Sequence, residues 1–283
     1  MAVPASRYLT CHDREIHFME WGAAHAETVV AWHGLARTGR DMDAIAERLA
    51  ERWRVICPDT IGRGLSQWAA DATREYQLAN YAAIATSLVD QLGIGTMHWL
   101  GTSMGGAIGL HAAAGPLRGR VRSLVMNDIG PELAPAAVAR IRGYAGSPPA
   151  FARVGELEAY LRQVYAPYGW LSDAHWRLLT ESSVRRLPDG RVTTHYDPAM
   201  VRQFIDHPDD YDQWLAWDGL PEALPVMVLR GEASDLLEAH VAEDMTRRGP
   251  CARLVTVAGC GHAPALNTDE QIGWVANFFA GVA

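Results

Sequence analysis

The chain has 283 residues, which suits one large domain or two small ones, and 49% of them are hydrophobic, so a substantial core can form. The formal net charge of -8 and the lack of any run rich in lysine or arginine argue against nucleic acid as a partner. No stretch approaches the roughly 20 apolar residues that a membrane span needs, and the amino terminus lacks the pattern of a secretory signal. We therefore expect a cytoplasmic protein with no membrane partner.

Short apolar segments bounded by turn residues recur along the chain, and each is predicted to be a strand buried on both faces. The segment 15–22 precedes them, alternates polar and apolar residues, and is predicted to be an antiparallel edge strand. The buried strands are predicted at 28–34, 54–62, 97–103, 121–130, 225–231 and 252–259. Between them, segments such as 41–53 and 78–93 space their apolar residues as amphipathic helices do. This alternation predicts an α/β fold with a mostly parallel central sheet flanked by helices.

The alternation of strands and helices stops between residues 131 and 224, where helical patterns and turn signals follow one another without a convincing buried strand. Half of the aromatic residues of the chain fall in this third of its length. We interpret 131–224 as a helical cap over a core domain formed by 1–130 and 225–283. Its aromatic residues could join helices to the sheet, form an apolar pocket wall for an acyl or aryl group, or do both.

Four cysteines, Cys11, Cys57, Cys251 and Cys260, are scattered without a CxxC pair or the spacing of a zinc site. We expect them to be reduced thiols, and we expect neither a metal nor a cofactor. The sequence leaves the oligomeric state open.

One segment, Gly101-Thr102-Ser103-Met104-Gly105, matches the pattern G-x-S-x-G. A predicted strand runs into it and a predicted helix runs out of it, which is the setting of a nucleophile elbow. So tight a turn strains the serine backbone, and side chains at the two glycines would collide with the neighbouring strand and helix. The turn also places Ser103 at the positive end of the helix, where free N–H groups can stabilise an anion.

A serine hydroxyl becomes an effective nucleophile when a base takes its proton and an acid orients that base. Asp235 and His262 follow the last two predicted strands, and they are predicted to be this acid and this base. The carboxyl ends of parallel strands share one edge of the sheet, so both residues can meet Ser103 there. Glu232 and Asp128 are alternative acids, and Asp128 could instead cap the entry into the insertion.

A serine site of this kind also needs an oxyanion hole, which binds the charge of the tetrahedral intermediate with backbone donors. The N–H of Met104 is predicted to be one donor, and the N–H of Leu35, after the first buried strand, is predicted to be the other. Arg37 is a candidate contact for a substrate carboxylate, with an ion pair to Asp41 or to an acid of the cap as the alternative. His33 is predicted to hold the same loop by hydrogen bonds.

The chain resembles the α/β-hydrolase superfamily over nearly its whole length. The resemblance is carried by five motifs in order, namely His33-Gly34, the segment 58–66 (PDTIGRGLS), the elbow around Ser103, the acid at Asp235 and the terminal His262, with the cap between the sixth and seventh strands. One departure concerns the acid, because many relatives carry it three residues after the glycine that ends the strand, where this chain has Ser234.

The resemblance implies a serine hydrolase that cleaves carboxylic esters of small to medium, partly apolar substrates through an acyl-enzyme intermediate. A small-molecule ester is then the expected partner. Lactones, carbon–carbon bonds of vinylogous diketones, or perhydrolysis with the same triad are alternative reactions. A slow-turnover ligand receptor built on a hydrolase fold is an alternative from another class.

Overall fold

The computed structural model describes residues 3–282. Its strands, in chain order, are β1 (Ala5–Cys11), β2 (Arg14–Trp21), β3 (Thr28–Trp32), β4 (Arg54–Pro58), β5 (Met97–Thr102), β6 (Val121–Asn127), β7 (Val184–Arg186), β8 (Val192–Thr194), β9 (Val226–Gly231) and β10 (Arg253–Val257). Its helices are α1 (Asp43–Leu49), α2 (Ala72–Glu75), α3 (Leu78–Gln91), α4 (Met104–Ala114), α5 (Pro135–Ala145), α6 (Val154–Val164), α7 (Asp173–Ser183), α8 (Gln203–Asp206), α9 (Trp214–Asp218), α10 (Ala239–Met245) and α11 (Asp269–Ala280). Short 3₁₀ turns cover Gly39–Met42, Ala166–Tyr168, Pro198–Arg202 and Pro208–Tyr211.

Eight strands form one sheet in the order β1-β2-β4-β3-β5-β6-β9-β10, and all neighbouring strands from β4 to β10 are parallel. This confirms the predicted α/β class with a mostly parallel central sheet. The predicted antiparallel edge strand at 15–22 is β2, and it lies one position in from the edge. The true edge is β1, whose side chains are mostly exposed and give no apolar signal in the sequence.

Helices cover both faces of the sheet, which explains why the central strands are continuously apolar. On one face α4 packs on β5 and β6 with α3 beside it, and on the other face α1 contacts α11. Trp32 of β3 and Trp99 of β5 stack in the first layer with their ring centroids 5.4 Å apart. No helix within residues 3–282 is long and apolar enough to cross a membrane.

The chain between β6 and β9 contains helices α5 to α9 and the small antiparallel pair of β7 and β8. The sequence predicts no strand here, and three-residue strands are too short to show a period of two. Part of the segment has a core of its own, made by Leu157, Leu161, Tyr165, Trp176, Leu179 and Val192. We call residues 131–224 the cap segment; its boundaries as a domain stay a prediction.

Candidate active site

The turn between β5 and α4 consists of a single residue, Ser103. The strand ends at Thr102, the helix begins at Met104, and Ser103 has φ 52° and ψ −120°. Positive φ is strained for a residue with a side chain, so neighbouring bonds hold the turn in place. The Ser103 N–H donates to the Asn127 carbonyl at 2.8 Å, and the Ser103 carbonyl accepts the Gly106 N–H at 2.8 Å. The serine side chain is thereby fixed at the carboxyl edge of the sheet.

Glycine is required on both sides of Ser103 because backbone approaches closely there. A Cβ atom at Gly101 would overlap the backbone of Gly105 in the helix, and one at Gly105 would overlap the carbonyl of Trp32 in β3. The indole of Trp99 donates to the Gly105 carbonyl at 3.0 Å and supports the first turn of α4 from below. These contacts give the two predicted steric conflicts, with helix and strand respectively.

His262, in the loop after β10, lies against the serine. Its Nε2 is 2.9 Å from the Ser103 Oγ, and its side chain is 12% exposed. The cap segment holds this loop, because the Gly261 N–H donates to the Pro167 carbonyl at 2.7 Å. The Asn127 amide adds a bond to the Pro264 carbonyl at 2.9 Å. These anchors have no sequence motif, and sequence reasoning missed them.

The other ring nitrogen of His262 faces Asp128, which directly follows β6. The distance from Nδ1 to Oδ2 is 2.7 Å, and Asp128 is fully buried. Its carboxylate also accepts the Gly231 N–H at 2.7 Å and the Ser234 hydroxyl at 2.6 Å. A carboxylate bound by three donors is fixed in place, and it favours the tautomer with the proton on Nδ1. The unprotonated Nε2 then accepts the Ser103 hydroxyl.

The structure contradicts the predicted contact between Asp235 and His262. Asp235 is about half exposed and forms a bidentate ion pair with Arg140 of α5, at 2.7–3.0 Å. The position three residues after the glycine that ends β9 is Ser234, which turns inward and donates to Asp128, so Asp235 turns outward. In the described part of the chain the Glu232 carboxylate accepts a single hydrogen bond, from the Gly259 N–H at 3.3 Å, and none from His262. Of the three candidate acids, Asp128 is the one in contact with the histidine.

Of the two predicted oxyanion donors, Met104 directly follows Ser103, and Leu35 lines the same cavity as Ser103. Within residues 3–282 neither the Leu35 N–H nor the Met104 N–H donates to an acceptor. His33 holds the first loop as predicted: its Nδ1 is 2.6 Å from the Gly34 carbonyl, and its Nε2 accepts the Thr60 N–H at 2.9 Å. Burial lowers the pKa of His33 to about 4, so the ring is neutral and keeps both bonds.

Arg37 forms the ion pair that the sequence offered as an alternative. Its Nε and Nη2 donate to Asp41, both at 2.6 Å, and its guanidinium lies over the Tyr165 ring, 4.7 Å from the centroid. The residue is buried, and it also lines the cavity beside Ser103. A direct contact of Arg37 with substrate stays a prediction.

A narrow cavity, partly open to solvent, leads to Ser103 and His262. The cap segment supplies a mostly apolar and aromatic wall from Ile141, Tyr144, Val164, Tyr165 and Tyr168. A second cavity shares Gly34, Thr102, Tyr168 and Ala263 with the first and extends to residues of α7. Within the described part of the chain no cluster of three His, Cys, Asp or Glu residues could hold a metal, and the four cysteines are free thiols.

Residues 27–268 match the family described as the alpha/beta hydrolase fold, so the chain belongs to the α/β hydrolase family. It is 37% identical to the 3-hydroxybutyrate-oligomer hydrolase of Cupriavidus necator, over 93% of this chain and 92% of that protein. It is 30% identical to the pimeloyl-(acyl-carrier protein) methyl ester esterase of Xanthomonas oryzae pv. oryzae, over 88% and 92% of the two chains. The crystal structure of an alpha/beta hydrolase from Novosphingobium aromaticivorans superposes with a TM-score of 0.86 at 33% identity, covering 99% of both chains. These relatives support ester hydrolysis as the general activity.

Proposed function

We propose that the protein hydrolyses carboxylic esters through an acyl-enzyme, with Ser103 as nucleophile, His262 as base and Asp128 as the acid that orients the base. The observation that carries the proposal is the chain of two hydrogen bonds, Ser103 Oγ to His262 Nε2 at 2.9 Å and His262 Nδ1 to Asp128 Oδ2 at 2.7 Å. The two hydrogen bonds activate the hydroxyl of Ser103. Because Ser103 lies on a strained elbow and lines a cavity, a substrate can also reach it.

In the first half-reaction, His262 Nε2 takes the Ser103 proton while Oγ attacks the ester carbonyl carbon. The carbonyl electron pair moves to oxygen, and the N–H groups of Leu35 and Met104 bind this oxyanion. When the intermediate collapses, the bond to the alkoxy oxygen breaks and His262 gives its proton to the leaving alcohol. The Asp128 carboxylate stabilises the imidazolium that exists between these two transfers.

In the second half-reaction, water takes the place of the alcohol. His262 removes a proton from the water, and the resulting hydroxide oxygen attacks the acyl carbon. The same two N–H groups bind the second oxyanion. Its collapse breaks the bond between the acyl carbon and the serine oxygen, and His262 returns the proton to Ser103. The products are one carboxylic acid and one alcohol, and the enzyme is regenerated.

For the substrate, we infer esters of short aliphatic hydroxy acids, with 3-hydroxybutyrate oligomers as the first to test. The inference is supported by the aliphatic and aromatic wall of the cavity, which suits a methyl-branched chain. It is also supported by the 37% identity to a 3-hydroxybutyrate-oligomer hydrolase along nearly the whole chain.

The test is turnover of 3-hydroxybutyrate trimer, p-nitrophenyl butyrate and a lactone by the purified protein and by Ser103→Ala. We expect the wild type to release monomer from the trimer and the variant to lose at least about 10³-fold in kcat. Activity retained in Ser103→Ala would refute the serine mechanism.

Labelling of Ser103 by a fluorophosphonate separates the remaining possibilities. Labelling without turnover of any compound would favour the slow receptor over the esterase. Turnover of the lactone alone would move the substrate class to cyclic esters while leaving the mechanism in place.

A further inference from the structure

The cavity that leads to Ser103 is lined by two arginines, and they differ in their exposure to solvent. Arg37 is buried, its Nε and Nη2 donate to Asp41, and its buried Nη1 has no hydrogen-bond partner within residues 3–282. Arg140, on α5 of the cap segment, has a side chain that is 47% exposed and lies where the cavity meets solvent. A charged group of an incoming ligand therefore meets Arg140 first.

The guanidinium of Arg140 keeps free donors even in its ion pair. Nε and Nη2 donate to Asp235, while Nη1 donates to no acceptor within residues 3–282. Asp235 is itself 52% exposed. Ion pairs this exposed are weak, because water screens them and both side chains lose entropy in forming them. A second carboxylate can thus share the guanidinium or displace Asp235.

The surroundings define which ligand suits this arrangement. The cavity that Arg140 and Ser103 both line also contains Ile141, Tyr144 and Val164 of the cap segment, which supply apolar surface. The chain as a whole carries a net charge of -8, so a carboxylate approaching elsewhere on the protein is repelled on average. An aliphatic ester with one free carboxylate matches both the apolar wall and the local cation.

We propose that Arg140 is a specificity residue that binds the free terminal carboxylate of an aliphatic oligoester while Ser103 attacks an ester bond further along the same chain. The proposal rests on the ester hydrolysis proposed above. The protein then recognises the end of a hydroxy-acid oligomer that carries the free carboxylate. In the absence of substrate, Asp235 binds Arg140 in place of that carboxylate.

The experiment compares kcat/KM for 3-hydroxybutyrate trimer with kcat/KM for its methyl ester, which lacks the terminal charge. Only cleavage of the bonds between hydroxybutyrate units is counted, and release of methanol is measured separately, because the methyl ester adds one further ester bond. We expect the wild type to prefer the acid and Arg140→Gln to lower the ratio of acid to methyl ester about tenfold, mainly through KM. Arg142→Gln is the matched control, because Arg142 is an exposed arginine of the same helix that does not line this cavity. It removes the same net charge and should leave the ratio within about twofold.

Two further variants keep the test decisive if Arg140→Gln folds poorly. Arg140→Lys retains the charge but loses the planar fork, so its ratio should fall between wild type and Arg140→Gln. Asp235→Asn removes the competing carboxylate and should raise the ratio about two- to threefold. Circular dichroism and the Tm of each variant establish that it is folded.

The outcomes separate this proposal from the proposed function. If the wild type hydrolyses both compounds but prefers the methyl ester, or if the ratio is the same in wild type, Arg140→Gln and Arg140→Lys, the carboxylate subsite is refuted and the esterase stands. If the wild type hydrolyses neither compound nor p-nitrophenyl butyrate, the proposed function is refuted and the subsite with it.

Discussion

Asp128 and Asp235 both follow a strand of the parallel sheet, and exchanging each for asparagine shows which one serves the histidine. Asparagine has nearly the shape of aspartate, so Asp128→Asn keeps the packing and removes the charge. Its Oδ1 can still accept the Gly231 N–H, but an NH₂ group then faces His262 Nδ1 in place of the carboxylate oxygen, now 2.7 Å away. That NH₂ group favours the tautomer with the proton on Nε2, which cannot take the proton of Ser103.

The size of the effect follows from the distance and burial of the pair. An imidazolium and a carboxylate with charge centres about 4 Å apart attract each other by about 4 kcal/mol at an effective dielectric constant of about 20. Loss of that attraction in the transition state alone slows the reaction about 10³-fold. Adding the unfavourable tautomer raises the loss towards the roughly 10⁴-fold seen when a triad aspartate becomes asparagine in a serine protease. We therefore expect kcat to fall between about 10³- and 10⁴-fold.

The assay is hydrolysis of p-nitrophenyl butyrate at pH 7 to 8, followed for wild type, Asp128→Asn and Asp235→Asn. The ion pair between Asp235 and Arg140 is exposed, and Asp235 forms no hydrogen bond with His262 in the described residues. We therefore expect the kcat of Asp235→Asn on this neutral ester to stay within about threefold of wild type. A large loss in Asp235→Asn together with a small loss in Asp128→Asn would refute the assignment. Equal Tm values for the two variants would exclude unfolding as the cause.

Burial lowers the pKa of both His33 and His98 to about 4, below the roughly 6.5 of the unfolded chain. The contribution of these neutral histidines to the free energy of unfolding is complete above about pH 6.5 and declines below it, because the unfolded chain then binds protons first. Urea unfolding should therefore show a free energy of unfolding lower by about 2 kcal/mol per histidine at pH 5 than at pH 7. His98→Asn should make the free energy of unfolding less dependent on pH. A second prediction concerns Gly105→Ala, whose Cβ would overlap the carbonyl of β3 and should lower the free energy of unfolding by about 1–3 kcal/mol. Gly143→Ala, on an exposed turn of α5 with open space around it, is the control and should stabilise the protein by up to about 1 kcal/mol; the reasoning fails if the two variants behave alike.

The parts of the fold that the sequence predicts well are those with both faces buried. Strands β3, β5, β6 and β9 consist of mostly apolar residues between turn signals, and short runs of this kind are typical of strands covered by helices on both sides. The edge strand β1 pairs through its backbone while most of its side chains stay in water, so its sequence carries no pattern. The pair β7 and β8 owes its existence to tertiary contacts around a three-residue ladder.

The same distinction applies to the site. Ser103 is recognisable because its turn needs glycine at 101 and 105, a local steric requirement that is written in the sequence. Which aspartate contacts His262 depends on the path of the loop after each strand. Asp128 and Asp235 both follow the carboxyl end of a parallel strand, so their positions in the sequence do not distinguish them. Ser234 is the residue that differs: it fills the position of the acid after β9 and donates its hydroxyl to Asp128 at 2.6 Å. A serine at position 234, together with an aspartate directly after β6, is the sequence signal that would have predicted Asp128 as the acid.

A second chain of serine, histidine and aspartate shows why three side chains alone do not define the site. Ser6 Oγ lies 2.9 Å from His17 Nε2, and His17 Nδ1 lies 2.7 Å from Asp59 Oδ2, distances equal to those at Ser103. Ser6, however, is the second residue of β1, paired in register with Met19 of β2, so it lies on no elbow and at no helix amino terminus.

The two groups of residues differ in whether backbone N–H groups are available to bind an oxyanion beside the serine. Asp59 also accepts the Gly39 and Leu65 N–H groups at 2.6 and 2.9 Å, so its carboxylate links the segments that contain these two residues. At Ser6 the backbone is extended, so successive N–H groups point to opposite sides of the strand, and two of them cannot converge on the oxyanion of a tetrahedral intermediate. Ser103 instead has two unengaged N–H groups beside it in the described chain. The second serine, histidine and aspartate are therefore not expected to offset the loss of at least about 10³-fold in kcat that Ser103→Ala should cause.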